Sequence, residues 1–285
     1  MNDSRKLYRA FTFVTFGLTA ITVAVRTAIL CFTFDHALGY HAGGIFSTLL
    51  YILIALGFLS AVAYVAVAGK ATKQQLRGFA PTPGSASIPT YVCSLAVAAS
   101  FVIALTWEIL TGDWMTSSFL AKCIGALLAI LYFSLPKKEN VRLLGMGPHL
   151  YLVLALISEY FDWSVPMNSP IKLMNQAATV CVLLMLCDEL LSLGGKARPL
   201  YSTVCVSIAI LLGLTSGIPV LVSAAVNGAV ETEYLIHTIP SLTLGLYAAA
   251  RLLHSCEIEI IPHKKHQKQD IPVSENSDTT NNEEN

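Results

Sequence analysis

Arg26 stands inside an apolar run at the end of the series Thr12, Thr15, Thr19, Thr22, Arg26, whose 3-4-3-4 steps put all five on one face of a helix. Three further runs carry polar faces at helical spacing: Ser118, Lys122, Gly125 and Ala129; Lys172, Asn175, Gln176 and Thr179; His237, Thr238, Ser241 and Gly245. Two acids, Glu108 and Glu159, fall at ends of apolar runs and can neutralise Arg26. An isolated charge at mid-membrane costs at least about 2.5–3.5 kcal/mol, so pairing or a watery cavity is expected around Arg26, whereas Lys122 and Lys172 are close enough to a surface to snorkel. The chemistry offered is recognition. Arg26, Lys122 and Asn175 opposite Glu108 and Glu159, with Ser216 and His237 nearby, make a mixed-charge pocket suited to a zwitterionic or anionic small solute.

Other chemistries leave weaker traces. Ser216 and His237 occupy comparable depths of neighbouring runs, as a nucleophile and its base would in an intramembrane hydrolase. The Gly-x-Ser-Gly of rhomboid-type proteases is not met, since Leu214 holds its first position, and no HExxH, GxSxG or P-loop occurs. Asp188 and Glu189 close the sixth apolar run, where acids oppose the helix dipole. Pairing with Lys196 or Arg198 is the default expectation, and proton coupling the alternative. The seven cysteines are scattered without CxxC or Cys/His ligand spacing, so no metal or cofactor is expected, and only Cys31 and Cys123 are placed to form a disulfide. Thr215-Ser216-Gly217-Ile218-Pro219 predicts an interruption of the seventh run, with Pro240 at similar depth in the eighth; paired breaks of that kind accompany transporter sites.

The elements that position these residues follow from composition. With 54% hydrophobic and 13% charged residues and mean hydropathy +0.62, the chain is too apolar for a soluble domain. Zero formal net charge gives no reason to invoke nucleic acid. The fold class expected is all-α: a polytopic helical integral membrane protein with eight transmembrane helices at 11–34, 45–68, 90–110, 117–135, 149–163, 171–193, 200–225 and 233–254. The fifth is short, because only Leu150–Phe161 is cleanly apolar before Asp162. With eight spans and both termini cytoplasmic, 15 of the 18 Lys and Arg face the cytoplasm, as the positive-inside rule requires, while Trp107, Trp114 and Trp163 fall at the outer rim. Losing the fifth span breaks that alternation. Residues 1–10 form a cytoplasmic N-terminal segment, 11–254 the membrane domain, and 255–285, rich in Asn, Glu, Asp, Ser and Thr, a disordered cytoplasmic tail.

Small residues at four-residue spacing (Gly57 and Ala61; Ala121, Gly125 and Ala129; Gly213 and Gly217; Ser241, Gly245 and Ala249) mark close helix packing, within one bundle or in a homo-oligomer. The leading functional expectation is a permease or small-solute-binding protein of the plasma membrane with an outward-facing polar pocket and membrane lipids as its surroundings. The competing expectation is a non-transporting subunit or sensor scaffold whose polar faces are helix–helix contacts.

Overall fold

The computed structural model describes residues 2–35, 40–41, 44–75, 77–81, 87–112, 117–135, 143–161, 169–194, 198–227 and 232–259. Among the described residues there are eight helices: α1 Asn2–Phe32, α2 Ile45–Gln75, α3 Ile88–Thr111, α4 Ser117–Ser134, α5 Met146–Phe161, α6 Pro170–Leu193, α7 Pro199–Asn227 and α8 Thr232–Leu253. Five of them, α1, α2, α3, α6 and α7, are long and apolar enough to cross a membrane. The protein is a multi-pass helical membrane protein. At 16 residues α5 reaches only about 24 Å by helix rise, short of the roughly 30 Å hydrocarbon core.

Local signals set the helix starts. Ser87 and Thr90 form a capping box at α3, with Ser87 N–H donating to Thr90 Oγ1 at 3.0 Å and Thr90 N–H donating to Ser87 Oγ at 3.4 Å. Proline opens α6 and α7 at Pro170 and Pro199, where its missing N–H costs nothing. Helix α1 starts at Asn2, so the expected 1–10 segment continues the first helix, and Tyr8 within it is buried, donating to Leu252 O at 2.9 Å.

Contacts between element ends give an up-and-down bundle. The start of α1 meets the end of α8 through Tyr8 and Leu252, and the start of α3 meets the end of α4 through Ser94 Oγ, which donates to Phe133 O at 2.6 Å. This is the near end; Glu108 at the end of α3 and Lys122 at the start of α4 lie at the far end. Two short antiparallel pairs supplement the helices, β1 Phe34–Asp35 with β2 Tyr40–His41 and β3 Arg77–Pro81 with β4 Ser255–Glu259. The second pair corrects the expectation of disorder from residue 255. Five residues beyond α8 find backbone partners in the segment after α2, and the alternation Glu257, Ile258, Glu259, Ile260 is a strand pattern. Residues 260–285 lie outside the described residues.

Helix α7 is central and packs on α1, α2, α6 and α8, while α3, α4 and α5 form a second group joined to it through α8 and α6. Its burial on all sides explains its small and hydroxylated residues. Thr203, Ser207, Thr215 and Ser216 are buried, and Gly213 faces Gly245 of α8 so closely that a Cβ on Gly213 would run into the backbone at Ser241 O, while one on Gly245 would press against the backbone at Leu214. Gly125 likewise faces the backbone of Tyr151 and Gly147. These seams are used inside one bundle. The second group closes on an aromatic core in which Phe101 stacks on Phe133 at 6.1 Å and meets Tyr151 edge-on at 5.3 Å.

Helices α7 and α8 run continuously through Pro219 and Pro240. This corrects the expected interruption. Proline removes one donor, and a single replacement donor is enough to keep a helix together.

Candidate functional site

The threonine stripe of α1 faces the bundle as its spacing predicted: Thr12, Thr15, Thr19, Thr22 and Arg26 are all buried. The hydroxyls largely satisfy themselves. Thr12 donates to Tyr8 O at 2.9 Å, Thr19 to Thr15 O at 2.8 Å and Thr22 to Leu18 O at 2.6 Å, each one turn back along the helix. Only Arg26 reaches out. Its Nη1 donates to Thr215 O at 2.8 Å, and Thr215 O is the carbonyl that the N–H of residue 219 would have bonded had that residue not been proline. One guanidinium nitrogen of α1 therefore replaces the donor missing from α7.

The acids expected beside Arg26 have other partners. Glu108 accepts from Lys122 Nζ at 3.1 Å across the α3/α4 seam, because the end of α3 and the start of α4 face each other at the far end. Lys122 is thus held in an ion pair rather than snorkelling. Glu159 Oε1 accepts from Asn175 Nδ2 at 2.9 Å between α5 and α6, and Ser216 Oγ donates to Asn175 Oδ1 at 3.4 Å. Lys172 is 1% exposed, with Ser169 also buried, so protein covers the start of α6 and the expectation that Lys172 reaches the surface is corrected. Among the described residues no carboxylate pairs with Arg26.

A cavity of about 320 Å³ has Arg26 in its lining. Its floor is Leu212 of α7, and its walls come from α1 (Arg26, Ile29), α2 (Leu50, Tyr51, Phe58) and α6 (Pro170, Met174, Ala177). Of the seven residues expected in a single mixed-charge pocket, Arg26 alone lines this cavity. The other six are divided between the Lys122–Glu108 pair, the Glu159–Asn175–Ser216 chain and His237, which is half-buried on α8. Spacing within each run set the right faces, but which faces meet depends on the packing order around α7.

The hydrolase constellation does not assemble, because Ser216 hydrogen-bonds to Asn175 and not to His237. No disulfide joins Cys31 and Cys123. Among the described residues no group of three His, Cys, Asp or Glu could hold a metal ion.

At the near end, Glu189 has different partners from those expected. Its Oε2 accepts from Arg251 Nη1 at 3.2 Å, and its Oε1 accepts from Tyr132 at 3.0 Å and Tyr247 at 2.8 Å. Both members of the ion pair are fully buried, and Arg251 also lies over the Tyr247 ring at 5.8 Å. Arg198 is exposed and Lys196 lies outside the described residues. Arg251 prevails because α8 packs beside α6 with Tyr247 and Arg251 one turn apart on its buried face. Asp188 is buried next to this cluster.

The chain matches no protein-family model, no curated protein and no solved structure.

Proposed function

We propose that this protein is a small-ligand-binding membrane protein of the permease type, with its site in the far-half cavity and Arg26 as the group that recognises an anionic ligand. The carrying observation is Arg26 itself: 3% exposed, unpaired with any described carboxylate, and bordering a cavity of ligand size. A buried cation left beside a cavity is an unfavourable arrangement that an anion relieves. The Glu159–Asn175–Ser216 chain then fixes α6 and α7 beside the site, while Glu108 and Lys122 join α3 to α4 in the second helix group and His237 lies on α8. The test is thermal stabilisation of purified protein by acetate, inorganic phosphate, glycerol phosphate and oleate. At about one hundred times its Kd a ligand adds about 2.7 kcal/mol. At least one of these anions is expected to raise the melting temperature of the wild type and to leave Arg26→Gln unchanged; an equal response from both proteins rejects Arg26 as the anchor.

A second reading, a non-transporting subunit or sensor scaffold, draws support from the polar contacts already made between helices: Lys122 with Glu108, Asn175 with Glu159, and Thr243 with Ser100 at 2.9 Å. Proton coupling at Asp188 or Glu189 belongs to the permease reading, where the buried near-end cluster would be the coupling group.

The proposed topology has eight spans with both termini cytoplasmic in the plasma membrane, which makes the far end the outer one. Support comes from the distribution of Lys and Arg and from the pairing of β3 with β4, which ties the segment after α2 to the segment after α8. Labels at Ser85, Glu139 and Asp278 are expected to read inside, and labels at His36, Asp113 and Glu231 outside; all six positions lie outside the described residues. A tail labelled from outside intact cells overturns this topology.

A further inference from the structure

We infer that the ligand of the Arg26 site is a membrane amphiphile, with an anionic head at Arg26 and a long apolar chain lying in a lateral groove that runs from the gap between α2 and α6 across α6 to α5. The inference rests on the ligand-binding reading above and names the class of ligand.

Helices α2 and α6 each pack on α7 without a seam between them, and the gap has Leu212 as its floor. The Arg26 cavity continues into a larger groove of about 710 Å³, the two sharing Phe58, Leu173, Ala177 and Leu212. The groove opens sideways. Leu173, Val180, Ile157 and Tyr160 on its walls are each between 43% and 51% exposed, on helices that face lipid. Among the described residues Arg26 is the one charged residue in either lining, so the described part of the site is a single cation at the head of an apolar channel.

Depth matches one leaflet. Arg26 lies six residues before the end of α1, about 9 Å by helix rise. From Pro170 at the cavity to Cys181 in the groove, α6 advances eleven residues, about 16 Å, close to half of a roughly 30 Å hydrocarbon core. A head at the interface with its chain directed to the midplane has this shape.

Charge complements the head. One nitrogen of the guanidinium is committed to Thr215 O, and the remaining donors keep the planar fork that suits a carboxylate or phosphate. Pro170 and Ile171, in the first turn of the 24-residue α6, line the same cavity, so the positive end of that helix points toward the head as well. A small soluble anion would satisfy Arg26 but leave the groove uncovered; an uncharged lipid would fill the groove but leave the cation buried.

The experiment uses the full chain in nanodiscs of uncharged lipid, with 1-oleoyl lysophosphatidate as the probe, oleyl alcohol as the uncharged chain and inorganic phosphate as the chainless anion. Wild type is expected to bind lysophosphatidate at least tenfold more tightly than either control. Arg26→Gln is expected to lose at least tenfold. Ala177→Trp, at an exposed position shared by both linings, is expected to fill the cleft and lose binding while its melting temperature without ligand stays near wild type. Equal affinity for lysophosphatidate and oleyl alcohol overturns the inference, as does wild-type affinity in Ala177→Trp. Phosphate binding as tightly as lysophosphatidate, with the same loss in Arg26→Gln, overturns the amphiphile and leaves the ligand-binding reading standing. Binding of none of the three, together with no stabilisation by the four anions above, removes both.

Discussion

Glu189→Ala is expected to lose about 3–5 kcal/mol of folding stability, the cost of breaking a buried ion pair by removing one partner. The size follows from how much converges on this carboxylate. Arg251 donates to one oxygen, Tyr132 and Tyr247 donate to the other, and the side chains of the ion pair are fully buried, so Ala removes the carboxylate that all three share. The three donors come from α4 and α8, and Glu189 from α6; the cluster ties the two helix groups together at the near end. Glu189→Gln keeps an amide oxygen for the tyrosines but loses the charge opposite Arg251, and an intermediate loss is expected. The double substitution Glu189→Leu, Arg251→Leu is expected to recover the part of the loss that comes from the ion pair, because replacing both members of a buried pair with apolar groups is often neutral, while Tyr132 and Tyr247 still lose Glu189 as an acceptor. Thermal and denaturant unfolding of the three variants in one detergent measures this. A Glu189→Ala protein as stable as wild type rejects the ion pair as a structural tie. Wild-type stability in Glu189→Gln combined with abolished uptake would instead assign Glu189 to proton coupling.

The eight helices were legible because each needs a long apolar run, and the breaks between runs carry Pro, Gly and charge. The inward face of α1 was equally legible from its 3-4-3-4 threonines. The partner of Glu189 was misread for a specific reason. Arg251 counts as a basic residue at a cytoplasmic helix end, and charge counting sends such residues to water. The signal that could have placed it inside is the spacing Leu244, Tyr247, Ala248, Arg251, Leu252, a helical stripe on which every residue is fully buried. The pairing of β3 with β4 was visible only as a brief alternation after α8, too short to stand against the polar composition that follows. The lateral groove leaves no periodic trace, since it arises where α2 and α6 pack on α7 with no seam between them and where α5 borders α6.

Arg26 has two separable tasks, and Pro219 allows each to be measured. In the wild type, Arg26→Leu leaves Thr215 O buried without its donor, a loss of about 1–3 kcal/mol that removal of a buried charge partly offsets. Pro219→Ala gives α7 back the N–H that an unbroken helix directs at Thr215 O, so in that background Arg26→Leu is expected to be neutral or stabilising. The four proteins form a double-mutant cycle with an expected coupling of at least about 1 kcal/mol. Additive effects would mean that the 2.8 Å contact contributes nothing beyond geometry. Ligand binding should follow a different pattern, since the anion needs the guanidinium whether or not Thr215 O has another donor. Arg26→Leu is therefore expected to abolish binding in both backgrounds. Arg26→Lys sharpens the separation: an ammonium can still donate to Thr215 O, but it lacks the planar fork, so stability should stay near wild type while affinity for a carboxylate or phosphate falls. If Arg26→Lys binds as well as wild type, the site reads charge alone, and the fork geometry carries no part of the recognition.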